Sequence, residues 1–124
     1  MKQPKTEPSD LTIDVAELLA HVENDHELLR DILTIFREEF PRHLHSLGEA
    51  VNSGDGKRVA FAAHTLKGML SNLAAARMAA AAGLLEQMGR NGEKAGLQEA
   101  FAAFERDAAK LLSQLDACMT EVKG

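Results

Sequence analysis

The sequence predicts an all-α protein: an antiparallel four-helix bundle with a short additional N-terminal helix. Three observations carry this. Apolar residues recur at intervals of three and four over long stretches, which is the repeat of one helix face. No segment alternates apolar and polar residues with period two, so no strand is expected. Alanine is abundant and aromatics are few, five Phe with no Trp and no Tyr, a composition suited to close-packed helices rather than sheets.

Residues 1–10 are polar, include Pro4 and Pro8, and lack an apolar signal-peptide core. They read as a disordered leader or the end of a linker, and residues 11–124 as the bundle. A first short helix is expected at about 13–22, with Asp14 and Glu17 as a capping box and Leu18 and Leu19 on its apolar side. Asn24 and Glu27 form a second capping box. Leu29, Leu33, Phe36, Phe40, Leu44, Leu47 and Val51 then make one continuous stripe. Pro41 lies inside this stripe and should kink or break a helix. The stripe keeps its phase on both sides, so one long helix at about 25–52, bent near Pro41, is predicted, with two shorter helices as the alternative.

The run Asn52-Ser53-Gly54-Asp55-Gly56 supplies turn chemistry. The third helix is expected at about 57–73 and the fourth at about 75–89, with Met78, Ala81, Ala82, Leu85 and Met88 on one side. After Gly89-Arg90-Asn91-Gly92, the last helix covers about 94–121. Its stripe is Leu97, Phe101, Phe104, Ala108, Leu111, Leu115, Cys118 and Val122, the alternating spacing of a helix packed in a bundle. Four amphipathic helices with short connections fold antiparallel.

A chain of 124 residues suggests one domain, large enough for a core without disulfides. With one cysteine, Cys118, no intramolecular disulfide and no cysteine zinc cluster is possible. The formal net charge of −5 argues against a sequence-independent grip on nucleic acid and against anionic lipid. The longest apolar-looking run, Met78 to Leu85, is far too short to cross a bilayer. With one cysteine, no signal-peptide core and no bilayer-spanning run, a cytoplasmic location is expected; a monomer is expected because all four stripes can turn inward.

Chemistry concentrates in the third helix. On a helical wheel, Val59, Ala62, Ala63, Leu66, Met69, Leu70 and Leu73 share the core side. His64, Lys67, Gly68 and Ser71 fall opposite, with Lys57 and Ala60, while Phe61 and Asn72 flank the exposed strip. A neutral imidazole presented to solvent can attack a phosphoryl group near pH 7. Lys67 shares its face and can offset the charge of the product. Gly68 costs about 1 kcal/mol in a helix relative to alanine. A bare backbone beside His64 lets another protein's active site approach, a reason that helix stability does not supply.

Ala63-His64-Thr65-Leu66-Lys67-Gly68, followed by Asn72-Leu73 and Ala75, resembles the signature of histidine-phosphotransfer domains in bacterial phosphorelays. The resemblance covers nearly the whole chain. Asn24 to Leu29, Phe36 to Pro41, Gly54-Asp55 and Leu85-Glu86 sit where that family has similar residues. It implies that His64 is the phosphorylated residue, that Lys67 supports the phosphoryl group, and that Gly68 makes room for a response-regulator receiver domain. Met69 stands where the family often has a small polar residue, and Ala74 where it often has glycine.

Without this pattern, His64 would be an ordinary solvated histidine and Lys67 an ordinary surface lysine. Lys57 fits a first-turn surface residue as well as a functional one. Phe61 fits a core position at a helix boundary somewhat better than an apolar docking patch. Ser71 and Asn72 either border a docking surface or satisfy backbone groups at the helix end. His43 and His45 point to nearly opposite sides of a helix, so no metal site is expected, and Cys118 reads as a buried inert thiol.

No Walker-type loop or kinase motif is present, so the expectation is a carrier with no cofactor and no catalytic activity toward ATP. The expected partners are receiver domains and a sensor histidine kinase. The alternatives are a module excised from a hybrid or chemotaxis-type kinase, and a purely structural helical bundle.

Overall fold

The computed structural model describes residues 15–73 and 75–123. Five helices follow in order: α1 (Val15–His21), α2 (His26–Ser53), α3 (Gly56–Asn72), α4 (Ala76–Arg90) and α5 (Leu97–Lys123), with no strand among the described residues. The leader at 1–10 and the Asp14 cap lie outside the described residues, as does Ala74. So do the side chains of Cys118 and Val122.

The capping of α2 differs from the sequence expectation. Glu23 and Asn24 take positive φ, 56° and 63°, so Asn24 belongs to a left-handed turn and cannot cap. Asp25 adopts an extended backbone instead, and its carboxylate accepts the Leu28 N–H at 3.0 Å. α2 is a single helix running through Pro41. The proline lacks an N–H to give to the carbonyl one turn back. Burial of Phe36, Phe40 and Leu47 on both sides holds the helix together across that gap. Phe36 and Phe40 stack with ring centroids 4.7 Å apart.

Gly54 closes α2 in the left-handed region at φ 75°, and its N–H reaches the carbonyls of Ala50 and Val51. Asp55 then caps α3 by accepting the Arg58 N–H at 3.2 Å. α5 begins at Leu97, three residues later than the periodicity predicts, because Gly92 and Gly96 hold positive φ and keep the intervening chain out of a helix.

The four long helices occupy the corners of a bundle. α2 packs on α3 and α5, and α4 packs on the same two helices. Leu33, Phe40, Leu47, Val59, Leu66, Leu70, Leu85, Leu111 and Leu115 fill the centre. Each buried leucine of this kind costs about 2–5 kcal/mol when truncated to alanine. An ion pair between Arg37 and Asp116, 3.2 Å long, links α2 to α5 at the surface. α1 rests on α2 and buries Leu18.

The most extensive contact is between α3 and α4. It is close because glycines face each other where α3 begins and α4 ends. A Cβ on Gly56 would lie 2.6 Å from the Gly89 carbonyl oxygen, and one on Gly89 would lie 2.7 Å from both the Ala60 nitrogen and the Gly56 oxygen. Backbone meets backbone there, which brings the last turns of α4 against His64's helix.

Candidate functional site

α3 turns Val59, Ala63, Leu66 and Leu70 into the core, and the same turn of helix sends His64 outward, its side chain 64% exposed. Leu66 and Leu70 have no exposed surface, so the helix cannot roll to bury the imidazole without expelling them.

The structure adds two residues that the sequence reading left without a role. Glu86 on α4 has only 5% of its surface exposed and is the one buried charged residue among those described. Its Oε2 accepts from His64 Nδ1 at 3.1 Å and from an Arg90 amino group at 2.6 Å. Its Oε1 pairs with Lys67 Nζ at 3.2 Å. His64 and Lys67 on α3 are thus joined across the helix interface to Glu86 and Arg90 on α4.

This arrangement decides the state of each group. The Glu86 carboxyl is held down from 4.5 to about 2, first by the Arg90 hydrogen bond, against the opposing push of burial, with further lowering by Lys67 and His64. It is therefore ionised and can only accept hydrogen bonds. The His64 Nδ1 facing it must carry the proton. In the neutral ring the lone pair then lies on Nε2, on the far edge of the imidazole. A carboxylate bonded to one ring nitrogen also steadies the orientation of the ring.

The other predicted site residues separate into two groups. Lys57, Ala60 and Phe61 line an open cleft of about 520 Å³ together with His64, Gly89 and Arg90. Phe61 is 76% exposed, which corrects the preference for a core position: α4 approaches α3 through Gly89 and leaves the Phe61 side of the cleft uncovered. Gly68, Ser71 and Asn72 lie exposed further along α3. Among the described residues, a Cβ on Gly68 would meet nothing within 4 Å, so none of their contacts requires glycine there. Lys67 lies in a second concavity with Gly83, Leu84, Glu86 and Arg90.

Glu86 was legible in part. It stands in phase with the buried α4 positions Ala79, Ala82 and Gly89, and a carboxylate on a core stripe needs a cationic partner. Arg90, one turn on, is such a partner. That His64 shares the same carboxylate depends on how α3 meets α4.

Among the described residues, no group of three or more His, Cys, Asp or Glu side chains could hold a metal ion, and no helix is long and apolar enough to cross a membrane. A search of curated protein sequences returns no match. The crystal structure of histidine-containing phosphotransfer protein B (HptB) from Pseudomonas aeruginosa PAO1 superposes with a TM-score of 0.76 at 24% identity, covering 97% of this chain and 98% of that one. The likeness shows the same helical-bundle fold. The sequence profile of the Hpt domain matches residues 31–124, a span that contains His64, Lys67, Glu86 and Arg90. The chain therefore belongs to the Hpt family, the phosphocarrier domains of histidine phosphotransfer in phosphorelays.

Proposed function

We propose that the protein is a phosphorelay intermediate that carries a phosphoryl group on Nε2 of His64. The single observation behind this is the Nδ1 contact with Glu86, which leaves Nε2 as the nucleophilic nitrogen on an exposed edge. A receiver-domain aspartyl phosphate, or a sensor kinase, is the donor. The Nε2 lone pair forms the N–P bond as the donor's bond to phosphorus breaks, and the donor keeps that electron pair. A second receiver aspartate takes the phosphoryl group onward. Lys67 supports the phosphoryl oxygens. Gly68 gives the receiver access, and Ala60, Phe61, Ser71, Asn72 and Lys57 form the surface against which it docks.

The exposed Phe61 beside His64 and the unobstructed Gly68 support that docking face. The protein acts as a monomer in the cytoplasm, without nucleic acid, and has no catalytic activity of its own toward ATP. Phosphorylated receiver domains from the source organism, mixed with wild type and His64→Gln, test this. Acid-labile, base-stable label on wild type and none on the variant is the expected result. Label only from an ATP-binding kinase domain would make the chain a kinase module. No label from either would leave a structural bundle.

A further inference from the structure

Glu86 has more cations around it than one carboxylate requires. Arg90 sits on Oε2 at 2.6 Å and Lys67 on Oε1 at 3.2 Å, while His64 donates to Oε2 as well. A buried carboxylate must keep at least one cation, since an unpaired buried charge is far costlier than a paired one. The two candidates are not equivalent. Arg90 makes the shorter contact, lies one turn along from Glu86 on the same helix, and carries a guanidinium that stays charged in a fixed planar geometry.

Lys67 makes the longer contact through a flexible stem and belongs to His64's helix, one turn away. Its place on Glu86 is built. Gly83 leaves the room, for a Cβ there would come within 3.3 Å of the Lys67 Cδ. The lysine therefore rests against α4 and is tied there only by its ammonium, with its side chain 41% exposed.

We propose that Arg90 is a positioning residue: it keeps Glu86 neutralised, so that Lys67 can leave Glu86 for the phosphoryl group on His64. This rests on the phosphocarrier reading and deepens it. A phosphoryl group brings about two negative charges beside Lys67. Lys67 turns to its oxygens, while the Glu86–Arg90 pair and the hydrogen bond from His64 Nδ1 stay in place. When Arg90 is missing, Lys67 is the remaining full cation on a buried carboxylate, and the phosphoryl group loses its support. A direct contact of Arg90 with the phosphoryl oxygens would differ in one respect: the contributions of Arg90 and Lys67 would then be independent.

The test uses the full chain and phosphoramidate, a small phosphoryl donor that needs no receiver. Its P–N bond breaks, ammonia leaves, and the Nε2–P bond forms. The half-life of phospho-His64 is followed by ³¹P NMR in wild type, Arg90→Met, Lys67→Ala, the double variant and Arg90→Lys, with circular dichroism to verify the fold. Arg90→Met and Lys67→Ala should each shorten the half-life about three- to tenfold, the scale of one charge-assisted contact at a half-exposed site. The double variant should be no worse than the poorer single variant, and Arg90→Lys should return to within about twofold of wild type.

An Arg90→Met half-life equal to wild type overturns the proposal. So does a double variant whose loss is the product of the two single losses. Wild type that takes no label at His64 overturns the phosphocarrier reading as well, whereas normal labelling with independent effects overturns only the role given to Arg90.

Discussion

Replacing Glu86 by glutamine removes the charge that three donors share and keeps nearly the same volume. Lowering a carboxyl pKa from 4.5 to about 2 corresponds to at most about 3.5 kcal/mol of folding free energy, at about 1.4 kcal/mol per pH unit. The cations that cause it are half exposed, with Lys67 at 41% and Arg90 at 65%, so water screens them. Roughly 1–2 kcal/mol is the expected loss at pH 7 for Glu86→Gln, or about 4–10 °C in Tm for a domain of this size.

The pH dependence has a definite sign. A depressed carboxyl pKa stabilises the fold above the ordinary value, and that stability is lost as the folded-state group takes up its proton. The difference between wild type and Glu86→Gln should be complete at pH 5 and above, and should shrink between 4.5 and about 2. Urea denaturation of both proteins across that range measures it, and the subtraction cancels the other carboxylates. A difference that stays constant through this range, or no difference at pH 7, would refute the charge cluster around Glu86.

Substitutions at three further positions separate stability from docking. Gly68→Ala should raise stability by about 1 kcal/mol in thermal unfolding, because alanine is the better helix residue and its Cβ meets nothing; Gly68→Gln should lower transfer from a phosphorylated receiver while the fold is retained. Phe61→Ala should leave stability within about 0.5 kcal/mol, as surface substitutions do, and should slow receiver transfer without slowing phosphoramidate labelling; slowed labelling would argue against a docking role. Gly89→Ala should cost about 2 kcal/mol or more, the scale of an overpacked site, because its Cβ would fall 2.7 Å from backbone atoms of α3. Denaturant unfolding measures that loss, and a neutral result would mean that α3 and α4 sit farther apart.

Much of this protein could be read from local patterns. The five helices are where the apolar stripes put them, since a stripe is a property of one segment and survives even Pro41 when the phase is kept. His64, Lys67 and Gly68 share an exposed face because 3.6-residue geometry fixes which side of α3 meets the core. Boundaries were less legible. Asp25 rather than Asn24 caps α2 because a left-handed turn occupies the two residues before it, and α5 starts late because Gly96 takes positive φ.

The placement of the candidate site was legible where it depended on one helix. The exposed histidine, the lysine one turn on and the bare glycine are all spaced within α3, so the order of residues was enough to find them. The state of the imidazole was not. Its Nδ1 proton is held by Glu86, 22 residues away on another helix, and that carboxylate is held by Arg90 and Lys67. The same holds for Phe61, whose wheel position lies at the edge of the strip. Its exposure follows from Gly89 and Gly56 drawing α4 toward the other side of the cleft. Periodicity says which face of a helix is wet or dry. Which charge stands opposite, and at what distance, is a property of two helices at their crossing.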